Sequence, residues 1–153
     1  MRVYLVRHGK ASKDPAIPTD AERPLTERGR ADVEGVARLL AAAQIEVSQI
    51  RHSGLLRAQQ TAEIVGAYLD PVDGVTAVRG LHYADPVEDL ARELRLEPEP
   101  VMLVGHNPFM EKLVASLLLV NQGRIPVWFA TSSTACLDYV EGQWSIKWVL
   151  HRE

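Results

Sequence analysis

At 153 residues, 46% hydrophobic and 24% charged, the chain has the composition of an ordinary globular protein with room for one real core. Its formal charge of −3 argues against a nucleic-acid partner and requires any anion site to be a local pocket. The single Cys136 excludes an internal disulfide and, lying in an apolar run, reads as a buried thiol. The N-terminal apolar run is broken by Arg7 and His8, unlike a signal peptide, and the longest apolar stretch, Leu113 to Val120, is too short to cross a bilayer. The expectation is one domain over residues 1–153, cytoplasmic, without membrane contact.

Val3 to Val6 form an unbroken apolar run, the pattern of a buried strand, which ends abruptly at Arg7-His8-Gly9. A polar, proline-containing loop follows from Lys10 to Pro24, long enough to suggest a working loop. Thr26 can cap a helix whose stripe is Val33, Val36, Ala37 and Leu40 and which runs to about Ala43. A short strand over Val47 to His52 precedes a second helix, Leu55 to Leu69, with Ser53 as its expected N-cap. Asp73-Gly74 turns the chain into a short strand at Val75 to Val78. Asp85-Pro86-Val87-Glu88 has the form of a helix start: Asp as cap, Pro first, Glu third. A second apolar run, Val101 to Val104, ends in Gly105-His106, with Asn107 and Pro108 expected to open a helix reaching about Val120. Ala135 to Val140 and Trp144 to Leu150 flank Glu141-Gly142 as a hairpin. Alternating strands and helices followed by a hairpin predict an α/β fold. It is a three-layer α/β/α sandwich, with a mostly parallel central sheet and antiparallel edge strands.

Ligands of such sheets bind beyond the carboxyl ends of the strands. Three strand exits carry chemistry: Arg7-His8-Gly9, His52-Ser53 leading to Arg57, and Gly105-His106-Asn107. If the strands are parallel, Arg7, His8, Arg57 and His106 converge. Two guanidiniums and two imidazoles suit a compact dianion, above all phosphate, because a planar guanidinium binds two oxygens at once. His52, His82 and His151 lack this context and read as structural or exposed. Asp85 and Glu88 read as helix-start residues.

Four blocks resemble the histidine phosphatase superfamily, which is phosphoglycerate mutase-like in fold, and within it the short SixA-type phosphohistidine phosphatases. They are Val6-Arg7-His8-Gly9-Lys10-Ala11, Arg23-Pro24-Leu25-Thr26 with Gly29, Ser53 to Thr61, and Val104 to Pro108. A weaker fifth block is Phe129 to Ser133. The resemblance implies that His8 is a nucleophile accepting a phosphoryl group, and that Arg7, Arg57 and His106 hold its oxygens, with Arg23 near the pocket. No cluster has metal-ligand spacing and the pocket supplies its own cations, so no metal and no cofactor are expected. The implied partner is a phosphorylated protein, histidine-containing phosphotransfer domains among the candidates. One departure concerns the proton donor. Many family members carry a glutamate where Gly80 stands here, so His82, Asp85 or Glu88 would have to substitute. A phosphoramidate needs such an acid less than a phosphoester does. Two other functions fit the same pocket: a small-molecule phosphomonoesterase, or a non-catalytic phosphate- or phosphoprotein-binding module.

Overall fold

A computed structural model describes residues 1–121 and 123–151. Six strands form one sheet: β1 (Arg2–Arg7), β2 (Gln49–His52), β3 (Val75–Ala77), β4 (Val101–Gly105), β5 (Thr134–Val140) and β6 (Gln143–Leu150), in the order β3-β2-β4-β1-β5-β6. β1 to β4 run parallel to one another, β5 is antiparallel to β1, and β6 to β5. The sheet is therefore mostly parallel, with an antiparallel pair at one edge, as the sequence predicts.

Helices α1 (Glu27–Ala42) and α2 (Leu56–Leu69) cover one face, and α3 (Glu88–Leu94) and α4 (Phe109–Leu117) the other. Alternation along β1 and β4 divides the core. Tyr4, Val6, Met102 and Val104 join Val33, Val36, Ala37 and Leu40 of α1 and Ala58, Ala62 and Val65 of α2. Val3, Leu5, Val101 and Leu103 join Leu94, Phe109, Met110 and Leu113. β1 and β4 are thus apolar on both faces, which is why their sequences read as continuous runs. Each fully buried Leu, Val or Phe contributes about 1.5–3 kcal/mol.

Several helix starts differ from expectation. Leu55, not Ser53, is the N-cap residue of α2, because the Ser53 hydroxyl is engaged with His106. α3 begins at Glu88 after Val87, not at Pro86, because Asp85 Oδ2 accepts the His82 N–H at 2.8 Å and closes its own turn. α4 begins at Phe109 after Pro108, since the Asn107 amide donates instead to Glu111 and to the Phe129 carbonyl. It ends at Leu117, short of Val120: Leu119 adopts φ +57°, and Val120 N–H returns to the Ala115 carbonyl. The hairpin turn Glu141-Gly142 has φ of +53° and +78°, the paired positive values of a two-residue turn that matches strand twist.

Strand order positions the chemistry. β4 lies between β1 and β2, and Arg7 pairs with Gly105 while His52 pairs with Val104. The three exits singled out by sequence therefore leave the sheet side by side, at one level.

Candidate active site

His8 leaves β1 with its backbone N–H bound to the Gly105 carbonyl at 3.0 Å, so the two histidine-bearing exits are stitched together. Its Nδ1 lies 2.6 Å from the Gly9 carbonyl. A carbonyl only accepts, so Nδ1 carries the proton and Nε2 keeps a free lone pair. Burial pushes the imidazole down to about 4, with the Arg57, Arg7 and Arg23 guanidiniums acting in the same direction and the Gly9 carbonyl opposing. The ring is neutral at pH 7.

The loop after His8 is held by close backbone approach. A Cβ on Gly9 would lie 2.7 Å from Val33 Cγ2, and one on Gly29 only 2.2 Å from the Lys10 carbonyl oxygen. Thr26 caps α1 through Gly29 N–H at 2.9 Å, and its own N–H binds the Lys10 carbonyl at 2.9 Å. Thr61, buried on α2, accepts the Gly9 N–H at 3.1 Å and donates to the Arg57 carbonyl at 2.8 Å. One hydroxyl thereby couples the turn after His8 to the helix turn that carries Arg57.

His106 Nε2 lies 2.5 Å from Ser53 Oγ, and its ring centre is 5.0 Å from that of His8. Ser53 Oγ also accepts the Leu55 N–H at 3.3 Å, leaving its own proton available for His106. Burial, then His8, Arg57 and His82, push His106 down to about 3, with Asp20 opposing. Two neutral imidazoles face each other among fixed cations.

Arg7 Nη1 donates to the Phe129 carbonyl at 2.9 Å, and burial lowers the Arg7 pKa. A guanidinium remains charged regardless. Phe129 to Ser133 close over the strand exit: Ser132 N–H binds the Arg7 and His8 carbonyls, each at 3.1 Å. Arg57 is buried and donates to the Asp20 carbonyl (2.9 Å) and to Asp20 Oδ2 (3.2 Å). Arg23 donates to the Ser12 carbonyl (2.7 Å) and to Asp20 Oδ1 (3.1 Å). Burial alone would raise the Asp20 carboxyl, but the two guanidiniums outweigh it and hold the group below its ordinary value. Buried Arg7 Nε and His106 Nδ1 have no hydrogen-bond partner among the described residues.

The model of the Histidine phosphatase superfamily (branch 1) matches residues 3–85. Phosphohistidine phosphatase SixA of Escherichia coli is 30% identical, covering 97% of this chain and 92% of the relative. The chain belongs to the histidine phosphatase superfamily. A solved structure of the protein histidine phosphatase SixA complexed with tungstate has a TM-score of 0.86 at 30% identity, covering 98% of this chain and 96% of that one. The alpha-ribazole phosphatase from Shigella flexneri, at 18% identity, shares the fold with a TM-score of 0.79, covering 96% of this chain and 95% of that one.

Arg7, His8, Arg57, His106 and Arg23 all meet around the β1, β2 and β4 exits. The three residues considered in place of Gly80 separate. The His82 ring stands 3.9 Å from that of Tyr83 and 6.5 Å from that of His106, at the pocket rim. Its Nδ1 accepts the Ala84 N–H at 3.2 Å, so its Nε2 carries the proton. Asp85 braces the turn that carries His82, and Glu88 lines a separate groove of about 640 Å³ with Arg92 and Trp144. His52 is buried with Nδ1 bound to Gly54 N–H at 3.1 Å, and His151 Nδ1 lies 2.8 Å from Ser133 Oγ. Among the described residues, no cluster of His, Cys, Asp or Glu has the arrangement of a metal site. No helix among them is long and apolar enough to cross a membrane.

Sequence reasoning missed Asp20, Thr61 as a bridge, and Ser53 as the partner of His106. Ser53 and Thr61 bound the third motif block, but capping of a helix accounts for Ser53 and a place within that helix for Thr61. Asp20 carried no local signal at all.

Proposed function

We propose that this protein is a phosphohistidine phosphatase that takes the phosphoryl group onto His8 Nε2 and then releases it to water. The observation that carries the reading is the Gly9 carbonyl on His8 Nδ1, which aims the lone pair of a neutral imidazole at a centre ringed by guanidiniums. Phosphoryl transfer asks a protein mainly for in-line positioning and charge stabilisation. In the first half, a bond forms between His8 Nε2 and phosphorus as the phosphorus–nitrogen bond of the substrate breaks. The departing imidazole keeps the electron pair and takes a proton. In the second half, water attacks phospho-His8, giving inorganic phosphate and the free imidazole. Arg7, Arg57 and His106, with Arg23 at the edge, stabilise charge on the phosphoryl oxygens. Removing one such donor lowers the rate on the order of 10²–10³-fold.

The phosphohistidine substrate is taken from the SixA relatives at 30% identity. A phosphorylated protein as partner is supported by the rim. Trp128 is 74% exposed between buried Val127 and Phe129, whose carbonyl is held by Arg7 and Asn107. An exposed indole one residue along the chain from the carbonyl that Arg7 holds suits contact with a protein surface. Histidine-containing phosphotransfer domains are the class to try first. A cytoplasmic location belongs to this reading, in keeping with the buried free thiol of Cys136.

Rapid quench with a radiolabelled phosphohistidine protein tests it. Acid-labile, base-stable label on the enzyme, absent from His8→Ala, is the expected result. Failure to label in a single turnover would refute covalent catalysis and leave a binding module. Faster hydrolysis of a sugar phosphate would move the assignment to a small-molecule phosphomonoesterase.

A further inference from the structure

Arg57 and Arg23 converge on the carboxylate of Asp20. Arg57 Nη2 reaches Oδ2 at 3.2 Å, Arg23 Nη1 reaches Oδ1 at 3.1 Å, and Arg57 Nη1 takes the Asp20 main-chain carbonyl at 2.9 Å. The partners are unequal. The Arg57 side chain is 5% exposed, whereas that of Asp20 is 46% exposed and rides on a single 3-10 turn, Asp20–Glu22, within the loop after His8. The arginine is built into the fold on α2; the carboxylate is brought to it by a loop. The same carboxylate acts electrostatically on His106, and the same two guanidiniums act on His8. A planar anion therefore bridges two of the cations that surround the nucleophile, one oxygen to each, as two oxygens of a phosphoryl group would.

Resting on the reading of this pocket as a phosphoryl site, we propose that Asp20 is a built-in competitor for the phosphoryl group and a determinant of which phosphorylated ligands gain the pocket. A free monoester or inorganic phosphate must displace the carboxylate with its own charge alone. A phosphoryl group carried on a protein arrives with additional contact surface, and that binding energy offsets the displacement. The Asp20–Arg57–Arg23 contact thus selects against small anions, which are abundant and carry the same charged group. Displacement needs only the half-exposed Asp20 side chain to swing away while its main-chain carbonyl stays with Arg57 Nη1; the carboxylate already borders a groove of about 400 Å³ lined with it by Lys13, Asp14, Ile17, Thr19 and Arg23.

The test is calorimetric titration of the full chain with inorganic phosphate and with orthovanadate, in the native protein, Asp20→Asn and Asp20→Ala. Asp70→Asn serves as the control; it removes the same charge at the C-cap of α2, where Asp70 has φ +48°, a conformation that Asn also tolerates. The expected result is a Kd about fivefold lower in both Asp20 variants and unchanged in the control. The KM for p-nitrophenyl phosphate should fall by a similar factor, while that for a phosphohistidine protein changes less. Unchanged or weaker phosphate binding in both Asp20 variants overturns the proposal and makes the carboxylate a brace for the guanidiniums. Absence of binding in the native protein and every variant overturns the phosphoryl-site reading itself. Circular dichroism of each variant distinguishes a lost site from a lost fold.

Discussion

The hydroxyl of Ser53, at the exit of β2, lies 2.5 Å from Nε2 of His106, at the exit of β4. A contact between residues 53 positions apart sets the ring orientation and tautomer of the histidine that faces His8. Ser53→Ala should lower kcat about tenfold, because a side chain left free to rotate loses part of its preorganisation. Ser53→Thr keeps the hydroxyl and should retain most activity. Steady-state kinetics of the two variants checks this; equal losses would show that the hydroxyl is not what matters.

Thr61 serves two backbone groups, Gly9 N–H and the Arg57 carbonyl. Thr61→Val preserves shape and removes both bonds, leaving the buried Gly9 N–H unpaired. The expected cost is about 1–3 kcal/mol in urea unfolding, as a lower midpoint with an unchanged slope. Phosphoenzyme formation should slow as well, since the turn that orients His8 loosens.

Gly29 offers a case where two effects oppose. Alanine is the better helix residue by about 1 kcal/mol. Its Cβ would stand 2.2 Å from the Lys10 carbonyl oxygen, and that atom is main chain, itself bound to Thr26. Overpacking of this kind costs about 1–3 kcal/mol, so the clash wins. Gly29→Ala should melt lower than the native protein and bind phosphate more weakly, because the loop bearing Arg23 is pushed outward.

The pH behaviour follows from burial of the imidazoles. His8 is held down to about 4, against about 6.5 for an unfolded histidine. Between those values the unfolded chain binds the proton and the folded one does not. Stability is therefore full above about pH 6.5 and falls as pH drops toward 4, by on the order of 3 kcal/mol for His8 alone. The acid limb of single-turnover phosphoenzyme formation should lie below pH 5, where His8 Nε2 is lost to protonation. A limb centred near 6.5 would contradict the burial argument.

The segment after β3 orders three polar residues by effect. His82 presents a protonated Nε2 at the rim, and Asp85 holds the His82 N–H. His82→Ala and Asp85→Ala should each slow turnover severalfold, and the double variant should resemble His82→Ala alone, because the two act as one unit. Glu88→Ala should leave the rate unchanged. Additive losses from His82 and Asp85 would show that they act separately.

Much of the architecture was written locally. The uninterrupted runs Val3–Val6 and Val101–Val104 announced strands buried on both faces, and the period of Val33, Val36, Ala37 and Leu40 announced α1. Those signals are legible because burial imposes a repeat of two or 3.6 on any segment that must turn one side to a core. The site was legible in part for the same reason: Arg7, His8 and His106 directly follow such runs. The helix starts after Ser53, Asp85 and Asn107 are not legible locally, since each cap-forming side chain spends its hydrogen bond on a distant partner or on its own turn.

By itself, the sequence determined the strand–helix order, the chemistry at three strand exits and the family likeness, all carried by short contiguous stretches. Only the tertiary structure decided that β4 lies between β1 and β2, so that His8 and His106 leave adjacent strands at one level. It alone also decided that Asp20 bridges Arg57 and Arg23. Strand order and long-range hydrogen bonds are set by how the two helical layers pack on the sheet, and no local period or cap encodes that packing. The run that begins at Val3 announces a strand ending in Arg7 and His8. The fold decides what meets them there.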